Sequence, residues 1–575
     1  MNINLNRKKC LKYLYGSTKT FIPYLIVTIL MYSAEVLTLF IIKDFINKII
    51  SLNINITAYV ITFVVSIVLT IIFMVLKNNF KSKLSFNIRN KMIYDAYSSL
   101  LESDINELKR EEVKKASDNI ISNCNFIANN YINNEVLDLY ELIIGIIILS
   151  FSGLFVQTIL TLVLVISLMF YYLSTMTVLF ALKRASTKEQ KLNGENNKYI
   201  TDTFIKVKDI KLKNGIDLEK NIFNKKLENT KKNYLRKSFA ELLSNKIVNI
   251  AYICILVSIT LGLGGLFYID DSYSLSLGDL IYFVSISPIV YNLIYNVLHC
   301  KVRLSYIDKQ NEELNIIYSL HQEGKSEPIS ALEEVKSISF KNVYFNFENK
   351  DIISNISFDL EKNEKIGILC ESKEVRDVIY NILTKLYKTK SGIVEINGCE
   401  LNKIRTSYLR SIITSIDCET NVFNKTIKEN IVFPDEFDEY KYNDALNKTG
   451  LKELIGYIPN TDKTIIDEKF IENHKDIMTR IVFANAFYKD SKVFLLNDVS
   501  SNLDFETERL MFDEINKLKN KMIINITNKV YLLSNYDKIL IIEDGKQVEY
   551  GKYDDLMYDK SSLLYKTVKN VKINK

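Results

Sequence analysis

Apolar residues are concentrated in the first half of this chain, and shorter alternating patterns fill the second half. Six apolar segments in the first half each have about the 20 residues that a helix needs to cross a bilayer. They are Phe21–Ile50, Ala58–Leu76, Val136–Val156, Thr158–Leu182, Ile247–Ile269 and Leu280–Leu298. The pattern predicts an α-helical transmembrane domain with six spanning helices.

Lys and Arg are concentrated in the two long segments between these runs, 77–135 and 183–246. The short turns near Asn53–Asn55, Phe155–Gln157 and Asp270–Ser274 contain neither residue type. By the positive-inside rule, both termini and both long segments are cytoplasmic, in a multi-pass protein of the inner or plasma membrane. Helical periodicity in the long segments predicts that the membrane helices continue into the cytoplasm.

Beyond residue 335, apolar runs of strand length alternate with amphipathic helical sequence, as in SISFKNVYFNF, IGILC and RDVIYNILTKLY. This alternation is typical of an α/β domain on a largely parallel sheet. We therefore expect four parts in the chain. They are a cytoplasmic N-terminal elbow at 1–20, a transmembrane domain at 21–302, a polar linker at 303–335 and an α/β domain at 336–575.

Three carboxylates lie in or near the predicted spans: Glu35 in the first, and Asp138 and Glu141 near the start of the third. A carboxylate inside a bilayer is costly, and by default it faces a protein interior or a water-filled cavity. One interpretation is an acidic cavity that attracts a cationic or peptide substrate. The other is that Glu35 pairs with a neighbouring helix, while Asp138 and Glu141 sit below the bilayer.

Polar residues also recur at helical spacing on the last predicted span, where they are Tyr291, Asn292, Tyr295 and Asn296. Together with Glu35, the two tyrosines could line a substrate pathway. Polar packing between helices explains the same pattern equally well.

Composition argues against several kinds of site. The seven cysteines are scattered without a C-x-x-C pair, which argues against a disulfide framework and a zinc site. The three histidines are too dispersed for a histidine metal cluster. The net charge of +6 is modest and spread along the chain, so nucleic acid is not an expected partner.

The segment NEKIGILCESKEVRDVI lies where a nucleotide-binding protein carries its phosphate loop. Such a loop follows G-x-x-x-x-G-K-[ST], in which backbone N–H groups and the lysine hold the phosphates and the hydroxyl holds Mg²⁺. The four fixed positions are occupied here by Cys370, Val375, Arg376 and Asp377. The loop therefore lacks the residues that this chemistry needs.

The sequence around this loop resembles the nucleotide-binding domain of an ABC transporter. The resemblance rests on the order and spacing of FKNVYFNF, ISFDLEKNEKIGIL, SGIVEINGCEL, TIKENI, VSSNLDFETE and IIEDGKQVEYG. The six apolar segments before it resemble the membrane domain of a type IV exporter half-transporter. The resemblance covers nearly the whole chain and implies a six-helix transmembrane domain followed by an ABC-type nucleotide-binding domain.

The resemblance implies a role for each matching position. Phe347 matches the aromatic residue that stacks on adenine, and Cys418 matches the Q-loop glutamine. Asn497 and Asp498 match the Walker B aspartate and the catalytic glutamate, and Asn528 matches the switch histidine. The LSGGQ signature corresponds, without one identity, to Asn473, His474, Lys475, Asp476 and Ile477. The residues that still match the family pattern are Ser501, Asn502, Leu503 and Asp504 of the D-loop, and Glu468 in the loop just before the signature.

These substitutions predict that the chain alone does not hydrolyse ATP. Lys373 and Val375 replace glycines whose permissive backbone brings amides around a phosphate. Arg376 keeps a positive charge, but its fork does not substitute for a lysine point charge in a tight loop. Asp377 places a carboxylate where a hydroxyl should meet Mg²⁺. Each lost contact of this kind typically lowers the rate by about 10²–10³.

Cofactor binding is expected to be weak, absent or dependent on a partner. Asp377 and Asn497 stand at the Mg²⁺ positions, and Asn497 lacks the charge of the usual aspartate, so no resident metal is expected. Asp498 is one methylene shorter than glutamate and reaches a water less well. Phe347 and Arg376 remain available for weak binding of ATP.

The leading hypothesis is a non-catalytic half of a heterodimeric ABC exporter that moves a peptide or other amphipathic substrate. In that family each ATP lies between the phosphate loop of one chain and the signature of the other, which implies a second half-transporter with intact motifs. Alternatives are a membrane receptor or regulator on the same scaffold, or a homodimeric flippase or scaffold. Copurification of a second ABC chain would discriminate the transporter from the receptor.

Overall fold

The structure is a computed structural model that describes residues 11–50, 55–243, 248–269, 275–323, 332, 334–347, 350–417 and 422–573. The chain forms two compact units, one of residues 1–102 and 108–320 and the other of residues 103–107 and 321–575. The first unit is helical, and the second contains one mixed sheet with helices. The predicted fold class is therefore confirmed.

Long helices build the first unit. The helices up to residue 320 are α1 (Thr18–Ile50), α2 (Ile56–Leu101), α3 (Ile105–Leu108), α4 (Glu111–Asp118), α5 (Ile120–Phe126), α6 (Leu137–Val156), α7 (Thr158–Ile205), α8 (Val207–Leu212), α9 (Ile216–Leu242), α10 (Val248–Ile269) and α11 (Leu277–Tyr318). A π-helical segment, Ile127–Val136, joins α5 to α6. Each predicted apolar segment falls on one of these helices over its described residues, apart from Val136, which ends the π-helical segment.

Among the residues that the structure describes, four helical stretches are long and apolar enough to cross a membrane, by length and composition: Thr18–Ile50, Ile56–Leu101, Ile120–Val156 and Ile250–Ile269. Two shorter apolar stretches in the described part of the chain, Thr158–Ser167 and Leu277–Val290, begin the long helices α7 and α11. Six spanning helices therefore remain a prediction. Length and composition support four of the six.

Part of the predicted 303–335 linker is helical, because α11 continues to Tyr318. The sequence there is polar, yet it keeps a buried stripe at intervals of three residues, formed by Asn311, Leu314 and Ile317. The last turn is also held by the hydroxyl of Ser99 on α2, which donates to the carbonyl of Ile317 at 2.9 Å. Polarity suggested a linker, but packing against α2 keeps the segment helical.

The second unit is built on a ten-stranded sheet. Its strands are β1 (Ser337–Phe347), β2 (Lys350–Glu361), β3 (Lys365–Cys370), β4 (Ser391–Ile396), β5 (Cys399–Glu400), β6 (Ile413–Asp417), β7 (Val493–Asn497), β8 (Met522–Thr527), β9 (Lys538–Glu543) and β10 (Lys546–Lys552). Its helices are α12 (Lys373–Leu383), α13 (Thr406–Ile412), α14 (Ile427–Val432), α15 (Glu439–Lys448), α16 (Leu451–Gly456), α17 (Glu468–Asn473), α18 (Lys475–Lys489), α19 (Phe505–Lys517), α20 (Tyr553–Tyr558) and α21 (Leu563–Ile573).

The strand order is β5-β4-β1-β2-β10-β9-β3-β8-β7-β6. Strands β9, β3, β8, β7 and β6 pair in parallel, and β7 and β8 are buried at every position. Burial on both faces explains why these strands read as continuous apolar runs. The carboxyl ends of β3, β6 and β7 meet at one edge, where the register pairs Asp417 with Asn497. Ligand sites of parallel sheets lie at this edge.

Candidate functional site

The segment that matches the phosphate loop connects β3 to α12 at this edge of the sheet. Strand β3 ends at Cys370 and α12 begins at Lys373, so only Glu371 and Ser372 lie between them. The backbone N–H of Arg376 donates to the carbonyl of Ser372 at 3.1 Å, an ordinary helical hydrogen bond. That amide is therefore already used within the helix. Without glycines, the segment forms the first turn of a helix instead of an open loop.

The side chain of Arg376 fills the inner side of this turn. It is 4% exposed, and its Nη1 donates to the carbonyls of Cys370 at 2.8 Å and Glu371 at 2.6 Å. Helical side chains point toward the N-terminus of their helix, which is why a first-turn arginine reaches back over the connection. The carbonyls of Cys370 and Glu371 thus face the guanidinium of Arg376.

Asp498 completes the coordination of Arg376. Nη2 of Arg376 donates to Oδ2 of Asp498 at 2.8 Å, and both side chains are less than one-tenth exposed. Asp498 follows β7 with φ +50°, a left-handed conformation that aspartate tolerates. Among the described residues, its Oδ1 and the Nε of Arg376 are buried without a hydrogen-bond partner. The residue at the catalytic-glutamate position therefore serves as the counter-ion of an arginine.

Asn497 links two further carboxylates. It is fully buried, and its Nδ2 donates to Oδ1 of Asp377 and to Oδ1 of Asp417, each at 2.9 Å. A neutral amide in this position removes the repulsion that a third carboxylate would add. Asp417 was not among the predicted site residues; its position beside Asn497 is set by the pairing of β6 with β7. We call Arg376, Asp377, Asp417, Asn497 and Asp498 the sheet-edge network.

Cys370 belongs to the same turn. Its Sγ donates to the carbonyl of Ser372 at 3.6 Å, and burial raises the pKa of the thiol. The thiol is therefore protonated at neutral pH and acts as a weak donor.

Other predicted nucleotide-site positions lie outside this network. Phe347 ends β1 and is 46% exposed, and Asn528 is exposed just after β8. The residue after Asn528, Lys529, donates to the carbonyl of Ser500 at 2.7 Å and to Glu508 at 2.9 Å. Lys529 and Glu508 were not predicted, since their contact depends on the packing of α19 against the end of β8. Cys418 lies outside the described residues.

The signature-equivalent segment spans the junction of α17 and α18. Asn473 ends α17 and is exposed, the His474 ring lies 4.5 Å from that of Phe470, and Ile477 is buried. Glu468 lies in the first turn of α17. The side chains of Lys475 and Asp476 lie outside the described part of the structure.

The D-loop positions precede α19. Ser501 is exposed, Leu503 is half-buried, and Asp504 caps α19 by accepting a hydrogen bond from the amide of Thr507 at 2.9 Å. The side chain of Asn502 lies outside the described part of the structure.

In the transmembrane unit, two of the three predicted carboxylates, Asp138 and Glu141, have lysine partners that were not predicted. Glu141 accepts hydrogen bonds from Nζ of Lys77 at 2.5 Å and from the hydroxyl of Tyr32 at 3.0 Å. Asp138 pairs with Lys81. The side chains of Tyr291 and Tyr295 lie outside the described residues, so a pathway with Glu35 stays a prediction. The i, i+4 spacing of Lys77 and Lys81, just after an apolar run, was the available sequence signal.

Comparison with known proteins gives consistent findings. Residues 20–294 match the family model "ABC transporter transmembrane region". The chain is 24% identical over 512 residues to a "Putative export ATP-binding/permease protein" of Rickettsia bellii, covering 85% of this chain and 84% of that protein. It is 28% identical over 242 residues to an "ATP-dependent lipid A-core flippase" of Pasteurella multocida, covering 41% of each.

A solved structure of a bacterial Atm1-family ABC exporter with ATP bound has the same fold. The TM-score is 0.75 at 18% sequence identity, over 96% of this chain and 99% of that chain. Residues 20–294 are therefore similar to the ABC transporter transmembrane region family, and the chain as a whole is a multi-pass membrane protein with the fold of an ABC exporter.

Proposed function

We propose that this chain is the non-catalytic half of a heterodimeric ABC exporter. It contributes its helices to a shared pathway in the cytoplasmic membrane, with both termini in the cytoplasm, and its nucleotide-binding domain docks on an active partner. The observation that carries this proposal is the buried ion pair between Arg376 and Asp498. A relative that is named a putative export protein, and that aligns with this chain over most of its length, supports the transport role.

The sheet-edge network does not fit Mg²⁺-ATP. Arg376, at the position that matches the phosphate-loop lysine, is already neutralised by Asp498. A polyphosphate would have to compete with Asp498 for this buried guanidinium and would leave the carboxylate unpaired, which is costly. Asp377 would add a negative charge beside the phosphates. These features support weak or absent binding of ATP and Mg²⁺ by this chain alone.

The same network leaves no group to activate a water. Phosphoryl transfer depends on positioning and on electrostatic stabilisation of the transferred group. Asp498 holds Arg376 with one oxygen and buries the other, so a water cannot approach as it would a free general base. Asn528 at the switch position cannot exchange a proton. No step of hydrolysis is assigned to this chain.

The partner follows from the way this fold functions. ABC exporters work as dimers, and two copies of this chain would have no competent site. A second half-transporter with intact motifs would supply hydrolysis. The lipid A-core flippase relative is named for an amphipathic lipid, which supports amphipathic cargo in general. A peptide substrate also belongs to this class of amphipathic cargo.

The receptor or regulator alternative is favoured by the signature-equivalent segment. There, the ring of His474 packs against Phe470 and Ile477 is buried, so this side of the domain also lacks the glycine amides of LSGGQ. A chain that had lost both faces of the ATP site would not need an ATPase partner.

The test is Mg²⁺-ATP binding and hydrolysis by the purified full chain, alone and with any copurifying ABC chain. We expect no hydrolysis alone, and substrate-stimulated hydrolysis with the partner. That hydrolysis should disappear when the partner's own catalytic glutamate is replaced by glutamine. Hydrolysis by the chain alone would contradict the proposal, and a chain that never copurifies with an ABC partner would support the receptor.

A further inference from the structure

Three helices bring polar side chains together inside the transmembrane unit. Each contributes two at helical spacing: Tyr32 and Glu35 on α1, Lys77 and Lys81 on α2, and Asp138 and Glu141 on α6. Residues three or four apart share one face of a helix. The three polar faces meet, because hydrogen bonds or ion pairs join α2 to α6 and α1 to α6. We call Glu35, Lys77, Lys81, Asp138 and Glu141 the charge ladder.

The ladder has two complete steps. Lys81 pairs with Asp138, and one helical turn further Lys77 pairs with Glu141 at 2.5 Å. The side chains of Lys77 and Glu141 are only 9% and 14% exposed. The hydroxyl of Tyr32 donates to the same oxygen of Glu141 at 3.0 Å. The direct contact of Lys77 is therefore with Glu141, at the second step.

Glu35 is the next step, and among the described residues it has no ion pair of its own; the ammonium of Lys77, paired with Glu141, acts on it only at longer range. Helices α1 and α2 follow each other as a hairpin and run in opposite directions. The step from Lys81 to Lys77 on α2 therefore has the same direction as the step from Tyr32 to Glu35 on α1. Glu35 thus lies one step beyond the pair of Lys77 and Glu141. In the described part of the chain, Oε2 of Glu35 is buried without a hydrogen-bond partner. The ladder thus has three carboxylates and two ammonium groups.

We propose that Glu35 binds a positively charged group, an ammonium or a guanidinium, of the substrate that this chain helps to move; this rests on the proposed transport function. A buried carboxylate without a cation is costly, so a ligand that supplies one is strongly favoured. Ionisable residues at membrane depth commonly mark substrate pathways. The two complete steps hold α1, α2 and α6 in place, and Glu35 is left for recognition.

The test uses the purified full chain in phosphatidylcholine nanodiscs without nucleotide. The probes are decylguanidinium, a lipophilic cation with N–H donors, and decyl sulfate, an anion with the same alkyl chain. We expect saturable binding of the cation above that of empty nanodiscs, and no such excess for the anion. Glu35→Gln should weaken cation binding about tenfold, the effect of losing a hydrogen bond to a charged group. Glu35→Asp, which keeps the charge but shortens the side chain, should weaken it about threefold.

The matched control is Asp44→Asn. Asp44 lies on the same helix but is exposed and bonded to Tyr59 and Lys48, so its loss should leave cation binding unchanged. Absence of cation binding by the wild type, or equal binding by the wild type and Glu35→Gln, would overturn the proposal. If Glu35→Gln does not fold, cation binding by Glu35→Asp that equals that of the wild type would also overturn the proposal.

The experiment separates this inference from the proposed function. It contains neither nucleotide nor partner, so a failure of partner-dependent ATP hydrolysis would overturn the transporter role and leave the cation site intact. Binding of the anion in preference to the cation would contradict the cation site alone.

Discussion

The sheet-edge network and the charge ladder are both largely buried groups of charged residues with more carboxylates than cations, but they differ in how those carboxylates are satisfied. At the sheet edge, Arg376 pairs with Asp498, and the amide of Asn497 donates to both of the other carboxylates. In the ladder, Lys77 and Lys81 pair with Glu141 and Asp138, and Oε2 of Glu35 is buried without a hydrogen-bond partner among the described residues. A carboxylate that already has a donor gains less from a bound cation than one that has none.

The ladder should be the more sensitive of the two to loss of a cation. Lys77→Met would leave Glu141 buried and unpaired beside Glu35, and losing one partner of a buried pair typically destabilises by about 3–5 kcal/mol. We expect a large fall in the midpoint of thermal unfolding of the purified chain. The double variant Lys77→Met, Glu141→Gln should recover much of that loss. Equal loss in the single and double variants would mean that the pair is not coupled.

The sheet-edge network should respond in the same way, at the lower end of that range. Its Arg376–Asp498 pair is at least as buried, but the carboxylate left behind does not lie beside a second carboxylate that lacks a donor, as Glu141 lies beside Glu35. Arg376→Ala would leave Asp498 without its counter-ion and two carbonyls without a donor, and we expect a loss of about 3 kcal/mol. Thermal unfolding of the full chain measures it. Arg376→Met combined with Asp498→Asn should be milder. An unchanged unfolding midpoint in Arg376→Ala would argue that the pair is not formed.

Opening the sheet-edge network should create binding without catalysis. The quadruple variant Cys370→Gly, Val375→Gly, Arg376→Lys and Asp377→Ser restores the pattern of a phosphate loop and releases Asp498. We expect ATP to bind about tenfold more tightly, because a lysine charge and loop amides become available. Hydrolysis should stay absent, since Asn497 and Asn528 are unchanged. Fluorescent-nucleotide titration measures the affinity, and an unchanged affinity would mean that Arg376 does not exclude the phosphates.

Loss of an exposed ion pair should lower the stability of the chain least. Asp359 accepts hydrogen bonds from Lys538 at 2.8 Å and Tyr550 at 2.9 Å, and the bond from Lys538 lowers the pKa of Asp359. Its side chain is 60% exposed, so solvent screens the pair, and Asp359→Asn should lose no more than about 1 kcal/mol at pH 7.

The sign of its pH dependence follows from that lowered pKa. A carboxyl whose pKa is lower in the folded state stabilises the fold at pH values above its unfolded pKa, which is about 3.9. That stabilisation is lost as the pH falls through the folded pKa. The wild type and Asp359→Asn should therefore converge in acid. Unfolding midpoints measured between pH 7 and pH 3 check this, and a gap that widens in acid would contradict it.

Sequence alone determined the fold class and the helical positions of the apolar segments, and it predicted an altered phosphate loop. These are local properties: an apolar run of the length of a bilayer, a strand-length run, or a missing glycine has the same meaning wherever the chain folds. The segment around Cys370 and Arg376 could be identified because a phosphate loop is contiguous in sequence.

Only the tertiary structure decided what the altered residues do. Arg376 and Asp498 are 122 positions apart, and Lys77 and Glu141 are 64 apart. Their pairing depends on which strand ends share a sheet edge and on which helix faces meet. The same holds for α11, whose polar end packs on α2 instead of forming a linker. A sequence lists the charges, but buried charges are balanced only between elements that packing brings together.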